Sequence, residues 1–239
     1  MRIYIGFDDT DVVGASRGTG KLARWFCEEL PDSVSLIGVV RQQLPRFPGI
    51  PFTSNNSAAC VIIDAPDPEI QEILIQTAVR HIENHFIEGS DPGLCVTTQD
   101  NPAVPQLIAH GRSASAQIVT QQEAIEAAKG AHLSAHGGTS DGIIGAAAGV
   151  GLTISGWSGR FIEFGDLRGF SDTVTVGDLQ KSGILVLSID RDALVPGPDD
   201  LVDTRGWLRP RLWGDRPVLP VRETSVSGHW QSIAGKRKK

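Results

Sequence analysis

Residues 3–26, IYIGFDDTDVVGASRGTGKLARWF, are the stretch that decides the fold. Residues 2–7 alternate in polarity and run into a polar turn, a pattern that predicts a β-strand. Three carboxylates, Asp8, Asp9 and Asp11, follow at once. A loop with several glycines then leads into a helix predicted over 19–30, whose apolar side chains recur on one face. Because neighbouring carboxylates repel one another, we expect a positive charge to offset them.

The rest of the first hundred residues continues this alternation of strands and helices. Strands are predicted at 34–40, 58–63 and 94–98, each as a short run rich in β-forming residues. A long amphipathic helix is predicted within 65–87, started by Asp67 and Pro68. The resulting order β-α-β-β-α-β over residues 1–98 is that of a ferredoxin-like unit. The predicted fold class is therefore α/β (α+β).

Further signals follow up to a boundary predicted near Gly165. Thr120 and Glu123 have capping-box spacing, which predicts a helix start. A glycine-rich turn, residues 136–142, leads into a helix of small residues with Ser140 or Asp141 as its N-cap. LTISG and RFIEFG predict a hairpin. We thus expect one region at 1–165 and a small β-rich appendage at 166–239.

Composition narrows the class of protein. The chain has 239 residues, of which 40% are hydrophobic and 21% charged, as in ordinary globular proteins. We find no apolar run long enough to cross a bilayer and no signal-peptide pattern, so a cytoplasmic protein without a membrane partner is expected. Three widely spaced cysteines argue against a disulfide framework. The net charge of −6 argues against a generally basic nucleic-acid surface, and the basic end GKRKK is interpreted as a solvated tail.

The opening stretch combines two kinds of chemistry. Carboxylates Asp8, Asp9 and Asp11 offer the hard oxygen ligands that suit Mg²⁺. The loop that follows leads to a helix N-terminus, where backbone N–H groups and the macrodipole favour an anion. Its candidate phosphate-binding residues are Arg17, Gly18, Gly20 and Lys21. Together they predict a nucleotide site, and the alternative is an Asp-rich turn that merely caps the helix.

Two better-known motifs fit the same residues less well. ASRGTGKL approximates the phosphate loop G-x-x-x-x-G-K-[ST], but Ala15 replaces the first glycine and Leu22 replaces the Ser or Thr. Asp9 and Asp11 form D-x-D after an apolar strand, as in Mg²⁺-dependent phosphatases of the haloacid dehalogenase type, with Asp9 as nucleophile. The later acidic motif of those enzymes is not matched by GDLRGFSD, whose spacing differs.

A family resemblance rests on four ordered motifs: IGFDDTD, PGIPFTSNNSA, DPG before a strand, and HGGTSDGIIGAAAGVG. Over roughly residues 1–165 the chain resembles the N-terminal half of archaeal isoleucine-tRNA agmatidine synthetase. That family uses ATP to join agmatine to the wobble cytidine of an isoleucine tRNA. The resemblance implies a kinase-like α/β domain that contains the ferredoxin-like unit.

The resemblance also implies roles for particular residues. Asp8, Asp9 and Asp11 would hold Mg²⁺ and the ATP phosphates, and Thr19 would become phosphorylated. The turn His136–Gly142 would close over nucleotide or substrate, with His136 as a catalytic candidate. Its cofactor-binding candidates are Gly137, Gly138, Asp141 and Gly142. ATP would convert a carbonyl oxygen into a leaving group.

Some features depart from the family. Its OB-fold and zinc ribbon have no counterpart expected here, because the chain has no CxxC pair, and Asp141 stands where the family has arginine. We therefore predict an ATP- and Mg²⁺-dependent ligase or kinase-like enzyme whose second substrate is a small amine or RNA. A Mg²⁺-dependent phosphatase and a non-catalytic nucleotide- or RNA-binding module remain as alternatives.

Several other residues are candidates by type and position. Asn55, Asn56 and Arg46 in the proline-rich loop are predicted to contact substrate, with an Asx turn and a solvated surface as alternatives. His81 and His85 have the i, i+4 spacing of a zinc pair, but the sequence suggests no third ligand. Three C-terminal tryptophans are interpreted as core residues of the appendage, with base stacking as the alternative.

Overall fold

The structure is a computed structural model that describes residues 1–53, 55–190 and 194–233. The chain divides into two compact units, Met1–Ser155 and Gly156–Lys239. The boundary predicted at Gly165 thus falls inside the second unit. The basic end, residues 235–239, lies outside the described residues.

The first six elements of the first unit have the predicted order β-α-β-β-α-β. The strands are β1 (Arg2–Asp8), β2 (Ser35–Gln43), β3 (Ser57–Asp64) and β4 (Gly93–Thr98), and the helices are α1 (Thr19–Phe26) and α2 (Ile70–His85). The strand order is β4-β1-β3-β2, with every neighbouring pair antiparallel. The fold-class prediction, α+β with this unit, is confirmed.

Four further elements complete the first unit: α3 (Val104–Ala114), α4 (Gln121–Ala127), β5 (His132–Ala135) and α5 (Gly142–Ile154). The predicted capping box of Thr120 and Glu123 starts α4. Strand β5 pairs antiparallel with β4 and extends the sheet. The sequence patterns predicted neither α3 nor β5, because one carries histidine and glycine in a short helix and the other has only four residues.

The helices cover opposite faces of the sheet. Successive side chains of a strand point to opposite faces, and Phe7 of β1 contacts Phe26 of α1, with ring centroids 5.3 Å apart. Its neighbour Gly6 faces α5, where an added Cβ would lie 2.6 Å from the carbonyl oxygen of Ala146. Helix α1 therefore packs on one face of the sheet and α5 on the other.

The hairpin predicted from LTISG and RFIEFG is wrong. Helix α5 continues to Ile154, and the Thr153 hydroxyl donates to the Gly149 carbonyl oxygen at 2.7 Å. The side-chain amide of Gln42 in turn donates to that hydroxyl at 3.0 Å, so a buried polar contact ties the end of α5 to β2. The β-branched residues that suggested a strand are thus the last turn of a helix.

The second unit is β-rich, as predicted. Its elements are β6 (Arg160–Glu163), β7 (Thr173–Thr175), α6 (Val176–Lys181), β8 (Leu185–Ser188), β9 (Leu201–Asp203), β10 (Arg211–Trp213), β11 (Arg216–Glu223) and β12 (His229–Ser232). The strand order is β6-β10-β11-β12-β9-β7, and β8 pairs in parallel with β11. Trp230 is buried there, whereas Trp207 and Trp213 lie against arginine guanidinium groups. Within the described ranges of both units, no helix is long and apolar enough to cross a membrane.

Gly151 tests the packing of α5 against α3. An added Cβ would lie 1.9 Å from the Leu107 carbonyl oxygen, a backbone atom that cannot step aside. Helix propensity alone favours alanine by about 1 kcal/mol, but overpacking costs about 1–3 kcal/mol or more. We expect Gly151→Ala to lower the free energy of unfolding by about 2 kcal/mol in urea denaturation.

Gly197→Ala is the matched control, because its added Cβ would meet nothing closer than 3.6 Å. It should change the free energy of unfolding by less than about 0.5 kcal/mol. A Gly151→Ala protein as stable as the parent would show that α5 and α3 do not approach this closely.

Candidate functional site

A cavity of about 810 Å³ opens in the first unit at the end of strand β1. Its wall combines the turn after β1, the N-terminal end of α1, the proline-rich loop between β2 and β3, the α3–α4 connection and the start of α5. The predicted site residues that line it are Asp8, Asp9, Asp11, Arg17, Gly18, Thr19, Gly20, Asn55, Asn56 and Asp141. The fold therefore brings residues more than 120 positions apart in the chain, from Asp8 to Asp141, to one cavity.

The carboxylates at the end of β1 repel one another in partly buried positions. Burial, followed by repulsion from Asp9, raises the pKa of Asp8 to about 7. Burial also raises the pKa of Asp9 to about 6, and the carboxylates of Asp91, Asp11 and Asp141 raise it further. The cavity wall thus concentrates negative charge that a bound cation would relieve.

Arg17 faces the same cavity and supplies positive charge. Its Nη1 is buried and has no hydrogen-bond partner among the residues that the structure describes. Its guanidinium carbon lies 5.6 Å from the centre of the Trp25 ring. Burial lowers the pKa of Arg17, and the negative charge of Asp11 opposes that effect. A buried donor without a partner is costly, so this nitrogen is suited to bind an anionic oxygen.

Thr19 is the first residue of α1 and is almost fully buried. Its hydroxyl oxygen accepts hydrogen bonds from the backbone N–H of Thr10 at 3.3 Å and from the Thr10 hydroxyl at 3.2 Å. The N-cap residue, Gly18, provides no side-chain cap, so no side chain of its own satisfies the first N–H groups of α1. These N–H groups, at the positive end of the helix dipole, border the cavity.

The asparagines of the proline-rich loop mainly hold that loop together. The Asn56 side-chain amide donates to the Pro45 carbonyl oxygen at 2.7 Å, and Asn55 Oδ1 accepts from Arg46 at 2.8 Å. Arg46 itself lies against the Phe52 ring and is not part of the cavity wall. On the opposite edge of the loop, the Thr53 hydroxyl donates to Asp11 at 3.2 Å, which joins the loop to the acid cluster.

Five more predicted residues lie outside the cavity wall: Lys21, His136, Gly137, Gly138 and Gly142. The exposed Lys21 lies over the Trp25 ring, one turn of helix beyond the cavity. His136 is at the end of edge strand β5, where its Nε2 lies 2.8 Å from the Ser134 hydroxyl. Burial lowers the pKa of this histidine. The β5 strand, absent from the sequence interpretation, is what carries it away from the cavity.

The glycines of the turn 136–142 are required by packing around Asp91. Asp91 accepts from the Thr139 backbone N–H at 2.6 Å and from its hydroxyl at 2.7 Å. An added Cβ at Gly138 would lie 1.2 Å from Asp91 Oδ1, and one at Gly142 would lie 2.0 Å from the Asp91 carbonyl oxygen. Sequence reasoning quoted the motif DPG but did not select Asp91, although a carboxylate just before a strand was the available signal.

The cavity unites the two requirements of a metal-bound phosphate. Its carboxylate oxygens suit a hard divalent cation, and the Arg17 nitrogen with the helix N-terminus suits an anion. Fold and site together fit the class of α+β proteins that can bind a nucleotide through its phosphates.

The comparisons with known proteins lead to one enzyme, the isoleucine-tRNA agmatidine synthetase TiaS. Similar solved structures are apo TiaS, with a TM-score of 0.51 at 26% identity, and the complex of TiaS with its isoleucine tRNA and ATP, with 0.53 at 25%. The complex of TiaS with the same tRNA, AMPCPP and agmatine gives 0.51 at 26%. Each match covers 63% of this chain, and this chain spans only 35% to 36% of the length of those proteins. No family profile and no curated protein sequence matches the chain. The N-terminal part thus has a TiaS-like fold, which confirms the resemblance found in the sequence.

The raised pKa values at the cavity predict how stability depends on pH. In the native state Asp8 and Asp9 keep their protons to about pH 7 and 6, whereas in the unfolded chain they lose them near pH 4. The native state therefore holds more protons in this window, and stability must fall as the pH rises through it. We expect the unfolding midpoint without Mg²⁺ to fall by several degrees from about pH 5 to about pH 8, and MgCl₂ to restore it mainly at the higher pH.

Asp8→Asn should lose most of this pH dependence and most of the effect of MgCl₂, since the amide keeps the shape of the side chain without its charge. Asp100→Asn, at an exposed turn, is the control and should behave as the parent protein. Thermal unfolding followed by circular dichroism measures both. Equal pH profiles for the parent and Asp8→Asn would contradict the raised pKa of Asp8.

Proposed function

We propose that the first unit belongs to an ATP- and Mg²⁺-dependent enzyme, kinase-like or ligase-like, that activates a second substrate by phosphoryl transfer. One observation carries the proposal: the buried, unpartnered Nη1 of Arg17 shares a cavity with Asp8, Asp9 and Asp11. Neither charge has a sufficient counter-charge nearby, and Mg²⁺ with a nucleotide phosphate would supply both. The likeness to TiaS, which was solved with ATP and with AMPCPP, supports ATP as that nucleotide.

In this proposal Asp8, Asp9 and Asp11 hold Mg²⁺, whose chemistry is to neutralise phosphate oxygens during transfer. Arg17 donates to a phosphate oxygen, which satisfies its buried nitrogen. The N–H groups at the start of α1, beginning after Gly18, bind the same phosphates along the helix dipole. The residues present fit the group, because every donor and acceptor named here already lines the cavity.

The acids opposite the β1 turn indicate the second substrate. Asp91 and Asp141 both act on Asp9 electrostatically, and Asp141 also accepts from the Gln121 side chain at 2.6 Å. This side of the cavity favours a cation over a second anion. We therefore propose a small amine as the second substrate, a choice that the agmatine complex of TiaS supports.

Mg²⁺-ATP binding is the first test of the proposal. Arg17→Gln should weaken binding by ~10-fold or more, because a charge-assisted bond to phosphate is lost. Asp9→Asn should abolish the Mg²⁺-dependent part of binding. Asn tolerates the positive φ of 49° at this residue, so the fold should persist. Isothermal titration calorimetry with MgCl₂ and AMPCPP gives the affinities, and Arg112→Gln, at an exposed position on α3, is the control.

Two outcomes would contradict the proposal. One is an affinity for Mg²⁺-AMPCPP that is the same in the parent, Arg17→Gln and Asp9→Asn proteins. The other is hydrolysis of a simple phosphate ester without ATP, combined with no nucleotide binding, which would favour the phosphatase alternative. Nucleotide binding without turnover toward any amine or RNA would favour the binding-module alternative.

Thr19 is proposed to accept phosphate during ATP use. Its oxygen is held by Thr10 at the cavity edge, beside the first N–H groups of α1. After incubation with Mg²⁺-ATP, intact-protein mass spectrometry should detect one added phosphate, and peptide mapping should locate it at residue 19. Thr19→Val should lose the modification and keep the fold, since valine has nearly the same shape.

Thr10→Val provides the matched control for that experiment. It removes the neighbouring hydroxyl and one hydrogen bond to Thr19 but leaves the Thr19 hydroxyl itself. Modification should persist there at a reduced rate. Phosphate at Thr10, or an equal yield in Thr19→Val, would refute the role of Thr19.

A further inference from the structure

Three potential metal ligands come together away from the nucleotide cavity. Glu29 ends a short 3-10 turn (Cys27–Glu29) that follows α1, and His81 and His85 lie in the C-terminal half of α2. Their donor atoms all lie within 4.8 Å of one another. None of the three lines the cavity described above. The third ligand missing from the sequence interpretation thus comes from a segment 52 residues before His81.

His81 has its protonation pattern set by its surroundings. The residue is fully buried, and its Nε2 lies 3.0 Å from the carbonyl oxygen of Leu22. Because a carbonyl oxygen only accepts, Nε2 must carry the hydrogen. In the neutral ring the lone pair is then on Nδ1, on the side of Glu29. A histidine that donates one N–H to a backbone carbonyl is the usual arrangement around a bound metal.

The contact between His81 and Glu29 demands a positive charge. Nδ1 of His81 lies 2.5 Å from Glu29 Oε1, and both atoms are acceptors when the ring is neutral. His85 approaches the same oxygen, with its Nε2 at 3.8 Å. Two imidazole nitrogens and one carboxylate oxygen are a recognised ligand set for zinc with one position left open.

We propose that Glu29, His81 and His85 bind a divalent transition metal of the zinc class, with water as the fourth ligand. The side chains of His85 and Glu29 are 41% and 39% exposed, so a hydrated ion can enter and retain a water. Donor atoms of a tetrahedral site lie about 3.3 Å apart. Glu29 therefore moves outward from His81 on binding, which its exposed position allows.

The site connects two elements that the chain places far apart. A metal bound there links the end of α1 to the last turns of α2, on the face of the sheet that Phe7 and Phe26 also cover. Trp25 lies against His85, with ring centroids 6.0 Å apart. The inference is independent of the proposed function, because neither ATP nor the acid cluster takes part in it.

The test is a zinc titration of the full chain after metal has been removed with EDTA. Isothermal titration calorimetry with ZnCl₂ should give one site per chain at micromolar affinity or tighter. His85→Ala and Glu29→Gln should each weaken binding by ~10-fold or more. His229→Ala, at an exposed position in the second unit, should match the parent. Co²⁺ in place of Zn²⁺ should produce a visible absorption band that ZnCl₂ abolishes.

Three results would overturn the metal site. The first is a folded parent protein that does not bind Zn²⁺, with histidine NMR showing both His81 nitrogens protonated in excess ZnCl₂, as a simple ion pair requires. The second is equal affinity in His85→Ala and the parent. The third is loss of binding in His132→Ala instead, which would place the ion at the His132–Ser134–His136 cluster.

Discussion

The close approach of helix α5 to strand β1 is the constraint on which the first unit depends. An added Cβ at Gly145 would lie 1.7 Å from Asp8 Oδ2, and one at Gly6 would lie 2.6 Å from the Ala146 carbonyl oxygen. Only glycine allows the helix and strand backbones to come so near. This contact removes water from the Asp8 carboxyl and raises its pKa. The packing of the fold and the electrostatics of the cavity therefore have the same origin.

The acid cluster is held together against its own repulsion by the elements around it. Asp9 adopts a positive φ of 49° at the end of β1, and Asp91 is fixed by two hydrogen bonds from Thr139. The cluster thus persists because the sheet and α5 are stabilised elsewhere, by apolar burial at residues such as Ile5 and Leu94. Functional sites commonly carry this kind of local cost.

Helix α1 and the turn after it connect the two candidate sites of the first unit. Its N-terminal end borders the cavity, and the 3-10 turn beyond its C-terminal end carries Glu29. The Trp25 ring lies between them, in contact with Arg17 on one side and with His85 on the other. A short helix with one buried and one functional end is thus sufficient to place both a guanidinium and a metal ligand.

The amino-acid sequence by itself determined the order of the first six elements, the capping box of α4 and most of the cavity wall. These features depend on local patterns: period-two or helical alternation, a cap, and carboxylates next to a glycine-containing loop. From the same patterns came Arg17, Thr19 and the three acids of β1, which the fold does bring together.

Only the tertiary structure decided the contacts between distant segments. It showed Asp91 next to Asp9, Glu29 next to His81, and His136 on an edge strand away from the cavity. It also showed that LTISG ends a helix, because Thr153 is tied to both Gly149 and Gln42. No local pattern encodes such pairs, since burial and charge at one residue depend on which distant segment packs against it, and this is settled only when the whole chain folds.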